Sequence, residues 1–153
     1  MRRLSGILLA CAFLVLPAFA SPAAARQAAA PQKFTLEGDL ALWSVSIRPD
    51  KTADYEQILT KVKEALTKSQ APEAKQQLAG WKVMKSVKPM PDGNIIYTHV
   101  IMPVAGADYN ILQVLYGTFT DPTEQKTLYD LYRGAFAGNL GINTGTVVAD
   151  LSK

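Results

Sequence analysis

Residues 80–102 read GWKVMKSVKPMPDGNIIYTHVIM. Two β-prone runs flank a stretch with strong turn chemistry, because Pro89 and Pro91 fix φ and Gly93 accepts a positive φ. Trp81 and Val83 alternate with Lys82 and Met84, the period of two that belongs to a strand. Residues 94–102 are apolar on both faces, which predicts a central strand buried on both sides. Together the two runs predict a β-hairpin over residues 80–88 and 94–102.

Upstream, residues 71–79 predict a short helical turn opened by Pro72. Residues 52–69 predict a helix whose Tyr55, Ile58, Leu59, Val62 and Leu66 fall on one stripe. Thr52 is its expected N-cap, with Asp54 and Glu56 in the first turn and Lys68 in the last, as the helix dipole favours. Residues 40–48 (LALWSVSIR) predict the first strand, with Trp43, Val45 and Ile47 on one face and Ser44, Ser46 and Arg48 on the other. Downstream, Asp108 is the expected N-cap of a helix reaching Phe119. Asp121-Pro122 interrupts it, and residues 123–137 form the next helix, with Leu128, Leu131, Tyr132, Ala135 and Phe136 inward and Gly138 at its C-cap. Residues 139–144 read as a polar loop, and residues 146–151 (TVVADL) as the last strand. The order β-α-β-β-α-β predicts an α+β, ferredoxin-like sandwich: four antiparallel strands with helices on one face. The other face is left uncovered, with Leu42, Met84 and either Tyr97 or Val100 upon it. A second copy about a twofold axis is its expected cover.

The first residues, MRRLSGILLACAFLVLPAFA, have a basic start, an uncharged apolar stretch, a helix-breaking Pro17 and the small residues Ala18 and Ala20. This predicts a signal peptide over residues 1–20, cleaved after Ala20 or, as second choice, after Ala25. Its ~13 apolar residues fall short of the ~20 a membrane span needs. The expected localisation is therefore exported, periplasmic or secreted. Removal of Arg2 and Arg3 lowers the formal charge from +3 to +1, so no electrostatic case exists for nucleic acid or an anionic membrane. Cys11 leaves too, and a mature chain without thiols suits an oxidising compartment. One Cys and one His exclude an internal disulfide and a Cys/His zinc site. Residues 21–37, rich in Ala, Pro and Gln at their start, read as a flexible leader, leaving residues 38–153 as one domain.

The pieces LWSVSI, DYEQILTKVKEAL, QQLAGWKVMKS and NIIYTHVIM, followed by paired helices and a last strand, resemble the dimeric α+β barrel superfamily, which includes the antibiotic-biosynthesis monooxygenases. The resemblance spans residues 40–151 and implies a homodimer. Members include cofactor-independent oxygenases, haem-degrading oxygenases, isomerases and proteins without known activity. The strand Asn and helical His of the haem-degrading branch have no match here: the first strand offers Ser44 and Ser46, and the only His, His99, falls on a strand. No cofactor and no metal are expected.

His99 is the one side chain that titrates near neutral pH without help. It reads either as a general base or ligand contact in a cleft between sheet and helices, or as a strand histidine with its hydrogen bonds satisfied. Trp43 and Trp81 read as core or as ligand-binding walls. Tyr129, Tyr132 and Arg133, at helical spacing, read as a helix stripe or as a pocket with an anion-binding guanidinium. Arg48 reads as solvated. The leading expectation is an exported homodimer that binds a small apolar or aromatic molecule between sheet and helices, lined by Trp43, Trp81, Tyr132 and Arg133. The competing expectations are a cofactor-independent monooxygenase in which His99 or Tyr97 assists proton removal from an electron-rich substrate, and an interaction module without a pocket.

Overall fold

The computed structural model describes residues 32–151. The expected signal peptide over residues 1–20 and the expected leader up to residue 31 lie outside the described residues. The elements run β1 (Leu40–Ile47), a 3-10 turn (Pro49–Lys51), α1 (Thr52–Lys68), α2 (Ala74–Gly80), β2 (Trp81–Lys85), β3 (Ile95–Ile101), α3 (Ile111–Tyr116), α4 (Pro122–Ala135) and β4 (Phe136–Gly145). The chain is thus α+β, with one four-stranded sheet in the order β2-β3-β1-β4 and every neighbouring pair antiparallel.

The alternation in β1 sets the two faces of the sheet. Ala41, Trp43, Val45 and Ile47 are all buried, and the last three pack against Tyr55, Ile58, Val62, Ala65 and Leu66 of α1 and Leu128 and Ala135 of α4. Burying these aliphatic side chains stabilises the fold by about 1.5–3 kcal/mol each. The opposite face carries Leu42, Ser44 and Ser46 of β1, beside Val100, Thr98 and Ile96 of β3, Lys82 and Met84 of β2, and Asn143, Gly141 and Gly138 of β4. Of the residues left open by the sequence, Val100 lies on this face and Tyr97 points inward, 2% exposed. The expectation that β3 is buried on both sides is corrected: Ile96, Thr98 and Val100 are only half-buried, because no helix covers that side.

Several boundaries also shift. Thr52 is the first residue of α1 and not its cap, because the 3-10 turn at Pro49–Lys51 delivers the chain already helical. Asp108 does not cap α3. Its Oδ1 accepts the N–H groups of Phe34 (3.0 Å) and Asn110 (2.9 Å), and Asn110 caps the helix instead. Phe34 therefore belongs to the domain rather than to a leader, and its carbonyl accepts Tyr109 N–H at 2.8 Å. Asp121 caps α4 by accepting Glu124 N–H at 2.9 Å, with Pro122 at the first helical position.

The largest correction is β4. Gly138 is no C-cap: α4 ends at Ala135 and Phe136 is already extended. The expected loop at residues 139–144 is strand, and residues 146–151 are not. The free edge of β1 recruits the segment that reaches it first, and two register irregularities with Gly141 at φ +106° absorb its poor strand chemistry.

Candidate functional site: the aromatic box around His99

Position parity on β3 turns His99 inward, level with Trp43 of β1 and Val83 of β2. It is fully buried. The Trp43 ring stacks on the imidazole at 4.7 Å and 26°. Trp81 Nε1–H donates to His99 Nδ1 at 2.9 Å, and Tyr55 Oη lies 2.7 Å from Nε2. Because Nδ1 accepts, the neutral ring carries its proton on Nε2, so Nε2–H donates to Tyr55 Oη. Both ring nitrogens are thereby used. Burial with no carboxylate partner pushes the imidazole down to about 4. Burial, with Tyr132 and Tyr97 nearby, pushes the Tyr55 hydroxyl well above its ordinary value. His99 is thus a neutral hydrogen-bonding bridge at neutral pH, with no lone pair left to take a substrate proton.

The box is made by distant segments. Trp43 is held in turn by Asn139, whose Oδ1 accepts its indole N–H at 3.2 Å, and by the edge of Phe34 at 5.8 Å. Trp81 meets the Tyr109 ring at 5.4 Å. Tyr97 touches the box only through its ring, 5.0 Å from Tyr55. Its hydroxyl donates outward to Glu56 Oε1 at 2.7 Å, an oxygen that also accepts Lys85 Nζ at 2.8 Å. Those two bonds, Lys85 first, hold the Glu56 carboxyl below its usual range.

The expected site residues therefore separate. His99, Trp43 and Trp81 come together. Tyr132 reaches them only through Tyr55, stacked at 6.5 Å, with burial pushing its hydroxyl up to about 12. Arg133 and Tyr129 are exposed on α4 and do not join the box. Arg48 is exposed and donates to Gly134 O at 3.2 Å. Tyr55 is the member that periodicity reads only as helix core; its polar tip within an otherwise aliphatic stripe is the signal that marks it.

Clefts lie elsewhere. One of about 70 Å³ sits between α1 and β2 beside Trp81, lined by Leu59, Leu66, Leu78 and Val83. One of about 160 Å³ lies between α1, α2 and α3, lined in part by Glu73, Gln77 and Asp108. A notch of about 330 Å³ opens on the uncovered side of the sheet at Leu40, Leu42, Asn143 and Val147. Neither His99 nor Tyr97 lines any of the three. Among the described residues no three His, Cys, Asp or Glu side chains group as a metal site requires, and no helix is long and apolar enough to cross a membrane. No family model, curated protein or solved structure matches the chain.

Proposed function

We propose that this chain is an exported association module, a ferredoxin-like domain of the dimeric α+β barrel kind that pairs with a second copy through the open face of its sheet. The strand order with antiparallel neighbours, β3 lying between β1 and β2, supports that fold. One observation carries the function: the open face presents Leu42 at 38% and Met84 at 56% exposure beside Val100, and Lys82 is the one charged side chain among the paired strand residues described on that face. A water-facing sheet side ordinarily carries polar residues in alternation. Exposed Leu42 and Met84 beside Val100, on a side that also carries Ser44, Thr98 and Asn143 but little charge, favour an association surface. A self-complementary twofold pairing needs no second gene product.

The ligand-binding and oxygenase readings find less support. Small-molecule sites usually enclose about 300–1,000 Å³; the cleft that Trp81 lines holds about 70 Å³, and the 330 Å³ notch is lined by none of Trp43, Trp81, Tyr132 and Arg133. His99, the acid–base candidate, is enclosed on both nitrogens.

Sedimentation of the mature chain tests the proposal. A dimer at about 50 μM is expected, and Leu42→Lys with Met84→Glu should convert it to a monomer of unchanged circular dichroism. A wild-type monomer at that concentration overturns the reading.

A further inference from the structure

The cleft of about 160 Å³ between α1, α2 and α3 lies in the helical layer, and none of its walls belongs to the sheet. Its deepest wall is Gln77. This side chain is 3% exposed, and its Nε2–H donates to Asp108 O at 2.7 Å. Its Oε1 accepts no hydrogen bond from the described residues, yet no wholly enclosed polar side-chain atom among those residues lacks a partner. Oε1 is therefore the part of Gln77 that reaches open space, and the open space that Gln77 lines is this cleft. Glu73 and Asp108 line it too. Asp108 spends Oδ1 on the N–H groups of Phe34 and Asn110, and no described residue donates to its Oδ2. Lys33 Nζ stands 3.9 Å from Glu73 Oε1, beyond hydrogen-bond reach, and donates to Gly106 O at 2.8 Å instead.

We infer that this cleft binds a small aliphatic primary ammonium ion, its charged head held by Gln77 Oε1 with the Glu73 and Asp108 carboxylates around it, and its alkyl chain against Leu66 and Val114. The walls choose the class. An ammonium has donors and no acceptor, which matches an amide oxygen and two carboxylates with acceptor capacity to spare. An anion would meet like charge at Glu73 and Asp108. The C-terminal end of α1 borders the cleft at Ala65, Leu66 and Ser69, and the negative end of that 17-residue helix favours a cation. α2 brings its opposite end, but it has seven residues and the Glu73 carboxylate stands directly before it. A bare metal ion fits less well. No three His, Cys, Asp or Glu side chains of the described residues group together, and an ion makes no use of Leu66 and Val114. Size sets the length. A cavity of about 150 Å³ holds benzene, so this one takes an amine of about five or six non-hydrogen atoms. The cleft is apart from the open face of the sheet, so the inference stands or falls independently of the dimer proposed above.

The test is an NMR titration of the isotope-labelled mature chain with n-butylammonium chloride at constant ionic strength. Saturable shifts of the Gln77 side-chain amide, with a dissociation constant below about 10 mM, are the expected result. Glu73→Gln with Asp108→Asn removes both charges and keeps the shapes and the Oδ1 acceptor that Phe34 and Asn110 need. This double variant, its fold checked by circular dichroism, should raise the constant at least about 10-fold. n-Butanol, of the same length without the charge, should bind at least about 10-fold more weakly than n-butylammonium. Absence of saturable shifts up to about 50 mM overturns the site. An unchanged constant in the double variant, or equal binding of n-butanol, overturns it as well. Nα-acetyl-lysine methylamide, which carries the same ammonium on a peptide, separates the sources. Binding weaker than that of n-butylammonium is expected of a site for a free amine, and tighter binding overturns that assignment in favour of a partner's lysine.

Discussion

Acidification should weaken this domain through His99 in a way that can be separated from every other group. The folded imidazole is held down to about 4 by burial, against an ordinary 6.5. Between those values the unfolded chain binds a proton and the folded chain does not, so stability rises with pH across that window. The contribution is complete above about pH 7 and is lost as pH falls from 6.5 through 4. At 1.36 kcal/mol for each tenfold change, the loss by pH 4 is roughly 3 kcal/mol. Geometry gives the same sign: a second proton would sit on Nδ1, facing the Trp81 indole N–H that now donates to it. The assay is urea unfolding from pH 8 to pH 4 on the parent and on His99→Gln, whose amide can still accept from one neighbour and donate to another. Glu56 and Glu64, whose carboxyls Lys85 and Lys68 hold low, titrate in both proteins and cancel in the difference. The parent should lose about 3 kcal/mol more than the variant over this range. Parallel pH profiles would refute the assignment of His99 as a buried neutral bridge.

Two further outcomes are expected. Tyr55→Phe removes the acceptor of the His99 Nε2–H and leaves a buried donor unsatisfied, which should cost about 1–3 kcal/mol in urea unfolding; a change within about 0.5 kcal/mol would mean the bond is not formed. Gly38→Ala should cost about 2 kcal/mol, because Gly38 sits at φ +86° and an added Cβ would lie 2.7 Å from Gly145 O; amide exchange should quicken first at Asp39 and Val147, which tie the start of β1 to the end of β4, and unchanged exchange there would contradict the strain.

What could be read from the chain, and what could not, divides by the distance over which each element is determined. Trp43, Val45 and Ile47 declare β1 by their own alternation, and Tyr55, Ile58, Val62 and Leu66 declare α1 by theirs, so both stand within a residue or two of expectation. The turn at Pro91-Asp92-Gly93 declares the hairpin just as locally. β4 is the contrary case. Asn139, Gly141, Asn143 and Gly145 are poor strand formers, and nothing nearby in sequence makes them a strand. The edge of β1 does so from about 100 residues away, and the Trp43–Asn139 hydrogen bond helps to seat it. Residues 146–151 have the better propensity, but residues 136–145 already occupy the edge of β1. Asp108 fails as a cap for the same reason, since its carboxylate serves Phe34 from across the chain. The inward side of His99 follows from parity with Tyr97 and Ile101, but its partners Tyr55 and Trp81 lie 44 and 18 positions away and no spacing rule joins them.

The burial of that histidine has a structural logic that the open face makes necessary. β3 is apolar on both sides: Ile95, Tyr97 and Ile101 look inward, while Ile96 and Val100 look outward. In most half-covered sheets, slipping a strand by one residue carries its polar side into the core, and that cost fixes the register. Here a slip would exchange one set of aliphatic residues for another and cost little in transfer free energy. The hydrogen bonds of His99 restore the discrimination. In the slipped register Thr98 or Val100 would stand between Trp43 and Val83, the Trp81 indole and the Tyr55 hydroxyl would both be left without their partner, and each orphaned buried group costs about 1–3 kcal/mol. A central strand with aliphatic residues on both sides thus needs a polar pin on its inner side, and a neutral histidine that both accepts and donates fits that position without introducing a buried charge.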